Sequence, residues 1–341
     1  MKISVFGGGG FIGSHLVGQL LDEGHTVHAL DTNQEKIAEN HALNKNFTFH
    51  KVDVSKGNNN VKEIISDCDA VFNLIAYAVP SLYIEKPLDV VNLNLFENLK
   101  IVKQCVKLKK WLIQFSSCEV YGMLGGRNGI FSEEESLLIL GPVNKNRWIY
   151  SCAKQMLERI IYAYGEEESL KYTIIRPFNF IGPNMDFLVK SKAEGIPRVF
   201  ANFMSSLLYK EPLYIVDNGV NERTFIFIKD AVEALGLIIK NREKFENEIV
   251  NIGNPANEIS MRDLAYLMKD IYIEKVSNET LPVVVSIDGE EYYGKGYQDS
   301  EKRIPDINKL NVVGWIPKIG LRKTFEISMD YYIKKRLAGE I

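Results

Sequence analysis

Cysteine is scarce in this chain, and the scarcity closes several routes at once. Only Cys68, Cys105, Cys118 and Cys152 occur, with no C-x-x-C spacing and no Cys/His set at metal-ligand intervals. Neither a disulfide-stapled fold nor a metal site is expected. The four read as reduced thiols, and the expected location is the cytoplasm. Long apolar runs are missing as well. No stretch approaches the roughly 20 residues of a membrane span, and the first apolar run breaks into four glycines, which does not suit a signal peptide. Positive charge is not in excess: 41 Lys+Arg against 44 Asp+Glu gives a net charge of -3. With no basic stripe and no interleaved aromatics, nucleic acid is not an expected partner. Repeats and low-complexity tracts are absent too. What remains is an ordinary globular composition, 46% hydrophobic and 25% charged.

What the chain does have begins at residue 2. Ile3, Val5 and Phe6 read as a buried strand, and Gly7, Gly10 and Gly13 follow at G-x-x-G-x-x-G spacing. Phe11, Ile12, Leu16 and Leu20 then form the apolar face of a helix. Such a turn needs glycine for its tightness, for backbone access to a pyrophosphate and for close packing of helix on strand. The phosphates would rest on the free N–H groups of the helix start, Phe11 and Ile12 among them. A second strand, Thr26 to Leu30, ends in Asp31, eighteen residues after Gly13. A carboxylate there accepts both ribose hydroxyls of an adenosine and repels a 2'-phosphate, so NAD is the expected cofactor. A third strand, Phe47–Val52, is closed by Asp53, a further acidic candidate on the cofactor side.

Strands and helices go on alternating. Ala70–Ile75 and Trp111–Phe115 read as strands, joined by a helix over Leu88–Leu108, and a helix over Asn146–Tyr164 leads to the strand Tyr172–Arg176. Apolar strands alternating with helices predict an α/β fold, a Rossmann-type doubly wound parallel sheet covered on both faces. After Pro177 the texture changes to loops rich in Gly, Pro and Asn, with helices expected at Val199–Leu208, Lys229–Lys240, Met261–Ile271 and Leu321–Arg336. Residues 1–177 are therefore expected to form the NAD-binding part. Residues 178–341 are expected to form a smaller C-terminal substrate-binding lobe, with segments returning to the main sheet. The acidic runs Glu133–Glu135 and Glu166–Glu168 read as a solvated loop face and a helix end, and Asn251 and Asn254 as turn-formers.

Two segments carry chemistry. Ser116-Ser-Cys-Glu-Val-Tyr-Gly122 follows the strand Trp111–Phe115, at a carboxyl end where open α/β sheets bind ligands. Tyr150 and Lys154, in Tyr150-Ser-Cys-Ala-Lys154, share one helix face at i, i+4. An ammonium beside a phenol lowers its pKa, giving a phenolate able to take a proton from a substrate hydroxyl, with Ser117 placed to hydrogen-bond the same oxygen. Lys145 and Arg147 face either a substrate or solvent.

These residues, with Arg176-Pro-Phe-Asn-Phe-Ile-Gly-Pro183, resemble the extended short-chain dehydrogenase/reductase superfamily of nucleotide-sugar enzymes. Gly141-Pro-Val-Asn-Lys-Asn-Arg-Trp-Ile-Tyr-Ser151 and Tyr292-Tyr-Gly-Lys-Gly-Tyr-Gln-Asp299 are similar to the UDP-glucuronic acid decarboxylase domain of the bacterial enzyme serving 4-amino-arabinose modification of lipid A. The resemblance runs nearly end to end. It implies that Tyr150 removes the C4 hydroxyl proton with support from Lys154 and Ser117, that Glu119 and Arg303 are catalytic, and that Asn179, Arg198, Arg223 and Tyr297 hold the nucleotide of a UDP-sugar. It also implies a homodimer. One residue departs from the pattern: Cys118 stands where the decarboxylase has serine. In the related 4,6-dehydratases this position and the next form an acid/base pair, so Cys118 and Glu119 keep a dehydratase in view beside the decarboxylase. A 4-epimerase and a non-catalytic nucleotide-sugar binder are the remaining readings.

Overall fold

A computed structural model describes residues 1–57, 60–125, 128–185, 187–190, 194–276 and 281–341. Seven parallel strands make the central sheet: β1 (Lys2–Phe6), β2 (Thr26–Asp31), β3 (Phe47–Lys51), β4 (Ala70–Asn73), β5 (Trp111–Phe115), β6 (Tyr172–Pro177) and β7 (Glu248–Ile252). Their order across the sheet is β7-β6-β5-β4-β1-β2-β3. The chain therefore winds one way from β1 to β3 and the other way from β4 to β7. The reversal between β1 and β4 opens a crevice at the carboxyl ends, where doubly wound sheets take their ligands. This is the Rossmann-type sheet expected from the strand–helix alternation.

Alternate side chains of the strands enter two cores. Ile3, Val5, Ala29, Phe72 and Ile113 face the helices Phe11–Asp22 and Ile228–Lys240, while Phe6, Leu30, Val71, Leu112 and Ile174 face Asn60–Asp67, Asn98–Leu108 and Ile149–Glu168. Coverage on both faces is why β4 and β5 are apolar almost throughout and buried along their whole length. The edge strand β3 alternates between half-buried and exposed residues.

The helix expected over Leu88–Leu108 is interrupted. Pro87–Val91 is α-helical, Asn92–Glu97 is a π-turn and Asn98–Leu108 is α-helical again. Buried amides explain the widened turn. Asn94 Nδ2 donates to the carbonyls of Val90 and Tyr77, and Asn98 Nδ2 donates to Leu93 at 2.7 Å and to Ile75 at 3.2 Å. Asn98 Oδ1 also accepts from Asn73 Nδ2 of β4 at 2.8 Å, and Asn73 Nδ2 reaches Gln114 of β5 at 2.9 Å. One amide network thus ties the π-turn to the strand ends that floor the crevice.

Two readings of the sequence are corrected here. Glu134 and Glu135 are exposed, but Glu133 is buried, and its carboxylate accepts the Asn251 N–H at 2.8 Å. The short strand Ile130–Phe131 pairs with Ile304–Pro305 and takes the adjoining chain inward; burial pushes the Glu133 carboxyl up. Asn251 belongs to β7 rather than to a turn; it accepts the Tyr121 O–H at 2.7 Å and donates to Phe131 and Asp306. Asn254 does form a turn, accepting the N–H of Ala256.

Asn98→Ala removes the donor to Leu93 and Ile75 and an acceptor of Asn73 in one change. Each stranded buried polar group costs about 1–3 kcal/mol, so the expected loss is roughly 2–4 kcal/mol. Urea unfolding checks it, and a loss within error of zero would show that the amide network contributes nothing.

Candidate active site

The glycine turn forms because only glycine fits it. Gly7 has φ +77°, and a Cβ on Gly13 would collide with the Gly7 carbonyl oxygen, so the helix start lies against the strand end. Gly10 caps the helix Phe11–Asp22 without any side-chain acceptor, which leaves the first N–H groups for a ligand. Asp31 closes β2 beside this turn, accepting the Gly9 N–H at 3.0 Å and the Thr32 N–H at 2.6 Å. An uncapped helix start, a cradle a Cβ would fill and a carboxylate one strand away fit a dinucleotide. Asp53 is engaged otherwise: it accepts from Ser55 N–H and O–H and pairs with Lys56.

A cavity of about 450 Å³ opens along the crevice. Of the residues singled out in the sequence, it is lined by Gly7, Gly10, Phe11, Ile12, Gly13, Ser117, Cys118, Glu119, Tyr150, Lys154, Asn179, Arg198, Arg223 and Tyr297. Asp31, Asp53 and Arg303 are not on its wall. The strand Glu222–Thr224, paired antiparallel with Glu258–Ser260, carries Arg223 in. The start of the helix Val199–Tyr209 places Arg198, and Asn179 donates to the Thr224 carbonyl at 2.8 Å.

Tyr150 and Lys154 are buried on one face of the helix Ile149–Glu168. Lys154 donates to the Phe115 carbonyl at 2.9 Å, and its nitrogen lies 5.9 Å from the Tyr150 ring centre. Burial lowers Lys154 to about 8. It pushes the Tyr150 phenol up, against the hydrogen bond of Ser117. Ser117 also accepts the Glu119 N–H at 3.1 Å, which starts the tight turn Cys118–Tyr121. Tyr83 stacks on Tyr150 with ring centres 4.6 Å apart and planes 6° from parallel.

Beside Tyr150 lies a cluster of charge in which Arg147, Arg223 and Arg303 are buried and the carboxylates of Glu119 and Asp299 half-buried. Arg303 takes Glu119 with both arms, at 2.5 and 3.2 Å, and Arg147 adds a contact at 2.8 Å. Asp299 pairs with Arg223 at 2.6 Å and lies 3.8 Å from both Arg147 and Arg303. Burial alone would raise the Glu119 carboxyl, but Arg147 and Arg303 hold it well below the usual carboxylate range. Burial pushes the Cys118 thiol up, although Arg303 Nη1 approaches its sulfur at 3.8 Å. At neutral pH the cluster therefore offers an ionised carboxylate next to a protonated thiol.

Sequence reasoning left Arg147 open and missed Tyr83 and Asp299. Arg147 is 4% exposed and sits three residues before the tyrosine, on the turn that leads into its helix. Asp299 closes the segment Tyr292–Asp299 and was in view without a role. Tyr83 had no local signal. Lys145 belongs to the surface, paired with Glu290. Tyr297 both lines the cavity and stacks on Tyr293 at 4.5 Å.

A dinucleotide turn, a buried Tyr/Lys pair and a cationic cavity at the switch point of a doubly wound sheet define an NAD-linked enzyme of the extended short-chain dehydrogenase/reductase type. The chain belongs to the NAD dependent epimerase/dehydratase family, whose model matches residues 3–253, and its cofactor is NAD. It is 42% identical to UDP-D-apiose/UDP-D-xylose synthase 2 of Arabidopsis thaliana over 357 residues, 97% of this chain and 91% of that protein. With UDP-D-apiose/UDP-D-xylose synthase of Oryza sativa subsp. japonica the identity is 40% over 358 residues, 98% of this chain and 89% of the relative. Among solved structures it is similar to the PbgP3 protein of Burkholderia pseudomallei, with TM-score 0.85 and 31% identity over 99% of this chain and 97% of that one. Among the described residues, no helix is long and apolar enough to cross a membrane.

Asp31→Ala is expected to weaken NAD binding by roughly 1.5–3 kcal/mol for each charge-assisted hydrogen bond lost. Titration calorimetry with NAD and NADP reads this; wild-type protein binding NADP more tightly than NAD would show that Asp31 does not select the cofactor.

Proposed function

We propose that the protein catalyses NAD-dependent oxidative decarboxylation of UDP-glucuronic acid through a C4-keto intermediate, giving UDP-4-keto-pentose or UDP-xylose. The observation that carries this reading is the charge around Glu119. Three guanidinium groups, Arg147, Arg223 and Arg303, meet two carboxylates, Glu119 and Asp299, so one positive charge is left over beside Tyr150. Arg198 stands on the same wall, outside this count. A dianionic diphosphate and a sugar carboxylate suit that excess; a neutral sugar alone does not. The relatives' names add chemical support, because a five-carbon sugar nucleotide is one carbon short of a hexuronic acid.

The geometry supports the following roles. The Tyr150 phenolate accepts the C4 hydroxyl proton, with Ser117 on the same oxygen and Lys154 below it. NAD, when bound, supplies the acceptor for the hydride leaving C4. With C4 a ketone, the C6 carboxylate is β to a carbonyl; the C5–C6 bond breaks, carbon dioxide leaves, and the electron pair enters the C4–C5 enolate. A proton from solvent then adds to C5 to complete the 4-keto-pentose; UDP-xylose needs in addition the return of the hydride to C4 and of the proton from Tyr150 to its oxygen. Arg147 acts on the carboxylate from the cavity wall, and Arg303 acts through Glu119, whose two oxygens it fixes. Asn179, Arg198, Arg223 and Tyr297 hold the UDP moiety, and Asp31 the adenosine end of the cofactor; Asp53, occupied by Ser55 and Lys56, is given no part in this reading. The segments after Pro177 supply most of the substrate side.

The ionised Glu119 beside the protonated thiol of Cys118 favours one second reading, a 4,6-dehydratase in which the thiol protonates the leaving C6 hydroxyl and the carboxylate removes the C5 proton. Assembly is proposed to be a homodimer formed through Pro87–Leu108 and Ile149–Glu168, supported by Phe96, Met156 and Tyr162 exposed on these two segments. A cytoplasmic location accords with four free cysteines.

Incubation with UDP-glucuronate and NAD is expected to release carbon dioxide, read by mass spectrometry as a product lighter by its mass. Inert UDP-glucuronate, together with loss of water from a neutral nucleotide hexose, would establish the dehydratase instead. Tyr150→Phe should slow C4 oxidation by roughly two to four orders of magnitude with NAD binding nearly intact; unchanged NAD reduction removes Tyr150 as the base. Arg303→Ala should abolish carbon dioxide release, whereas Cys118→Ser should keep activity in a decarboxylase and cripple a dehydratase. Light scattering at micromolar concentration should give twice the monomer mass, and a monomer would refute the dimer.

A further inference from the structure

A glutamate lies one turn beyond Tyr150 and Lys154 on the same helix face. Tyr150, Lys154 and Glu158 recur every four residues in Ile149–Glu168, and all three are buried. Arg176, near the end of β6, grips the Glu158 carboxylate with both arms, Nε at 3.1 Å and Nη2 at 2.7 Å. The same guanidinium lies 4.8 Å from the Tyr121 ring centre, and its Nη1 donates to the Glu133 carbonyl at 3.4 Å. Both partners are nearly inaccessible, Glu158 at 5% and Arg176 at 2% exposure. An ion pair so deep is a poor source of stability, since apolar residues of similar volume do as well or better. Its position behind the site supplies another use.

The Lys154 ammonium is 1% exposed and donates to a neutral carbonyl, that of Phe115. Burial without an anion discharges a lysine. On its own helix the titratable neighbours of Lys154 are Tyr150 and Glu158; behind Glu158 stands Arg176, with Tyr121 and the Glu133 carbonyl against its guanidinium. From the neighbouring π-turn, Glu97 is engaged by Lys100 at 2.7 Å. We propose that Glu158, held and partly neutralised by Arg176, is a positioning residue that keeps Lys154 charged one turn below Tyr150. The direction of the titration agrees: burial draws Lys154 down to about 8, and Glu158 opposes the fall. The ion pair is thus an adjustable counter-charge, with the carboxylate raising the lysine and the guanidinium tempering the carboxylate. This extends the proposed roles of Tyr150 and Lys154 in oxidation at C4.

The test reads Lys154 itself, so it does not depend on the substrate being right. The ¹³Cε resonance of Lys154, assigned through Lys154→Arg, is titrated in the purified protein with and without NAD. Glu158→Gln should move its midpoint down by about one pH unit, because an anion is lost and a buried cation remains. Arg176→Gln should move it up, because the carboxylate then acts unopposed. The alkaline limb of the rate profile should follow the resonance in both variants. A merely structural pair would lower thermal stability and leave the midpoint where it was; an unmoved midpoint in folded variants overturns the proposal. Should Glu158→Gln not fold, Arg176→Gln still decides: a midpoint that fails to rise in that variant overturns it. If UDP-glucuronate proves inert while the two variants shift in opposite directions, the functional reading fails and this one stands.

Discussion

The site depends on stripping the half-buried Glu119 carboxylate of most of its water without discharging it. Placing an ion in a protein interior costs several kcal/mol unless opposite charge and hydrogen bonds replace the lost water. Arg303 and Arg147 do this from different parts of the chain, and the compensation fixes much else. It dictates that Arg303 be buried and that its fork be filled by protein rather than left facing ligand. It brings Asp299 within reach of all three cluster guanidiniums. It also leaves the thiol of Cys118 beside a saturated ion pair, where burial keeps it neutral. The cavity that results is cationic and includes Tyr150, whose phenol burial keeps protonated.

A second layer lies beneath the first. The amides of Asn73, Asn98 and Gln114 join the ends of β4 and β5 to the π-turn. The Glu158–Arg176 pair joins Ile149–Glu168 to β6. The first braces the strand ends that floor the crevice, and the second couples the helix bearing Tyr150 and Lys154 to the sheet that positions it. Orientation in such a site is set by groups that never touch substrate, which is why the catalytic face can be read only together with its supports.

Legibility in the sequence followed the range of the interactions. The glycine turn, Asp31 and the Tyr150/Lys154 spacing are local patterns, and each falls on its expected element. Later helices also appear near their expected bounds, as at Val199–Tyr209 and Leu321–Leu337, because each carries its apolar periodicity within itself. Tyr83, Glu133 and Asn251 were not legible, since what makes each one special is a neighbour far along the chain: Tyr150, Asn251 and Tyr121 respectively. The π-turn was hidden for the same reason, as an amide ladder to the sheet widens a stretch whose apolar pattern is ordinary helix.

The two-residue pairing of Ile304–Pro305 with Ile130–Phe131 bears on how the molecule is made. It delivers Arg303 to a carboxylate 184 positions earlier in the chain, and so little strand contact cannot pull such a loop shut before the rest has condensed. Loop closure of that span must wait for the strand pairs of the sheet, whose contacts are nearer in sequence. A growing chain therefore completes its dinucleotide cleft while Glu119 still lacks Arg303. The charge cluster around Glu119 is complete only when the chain around Arg303 docks.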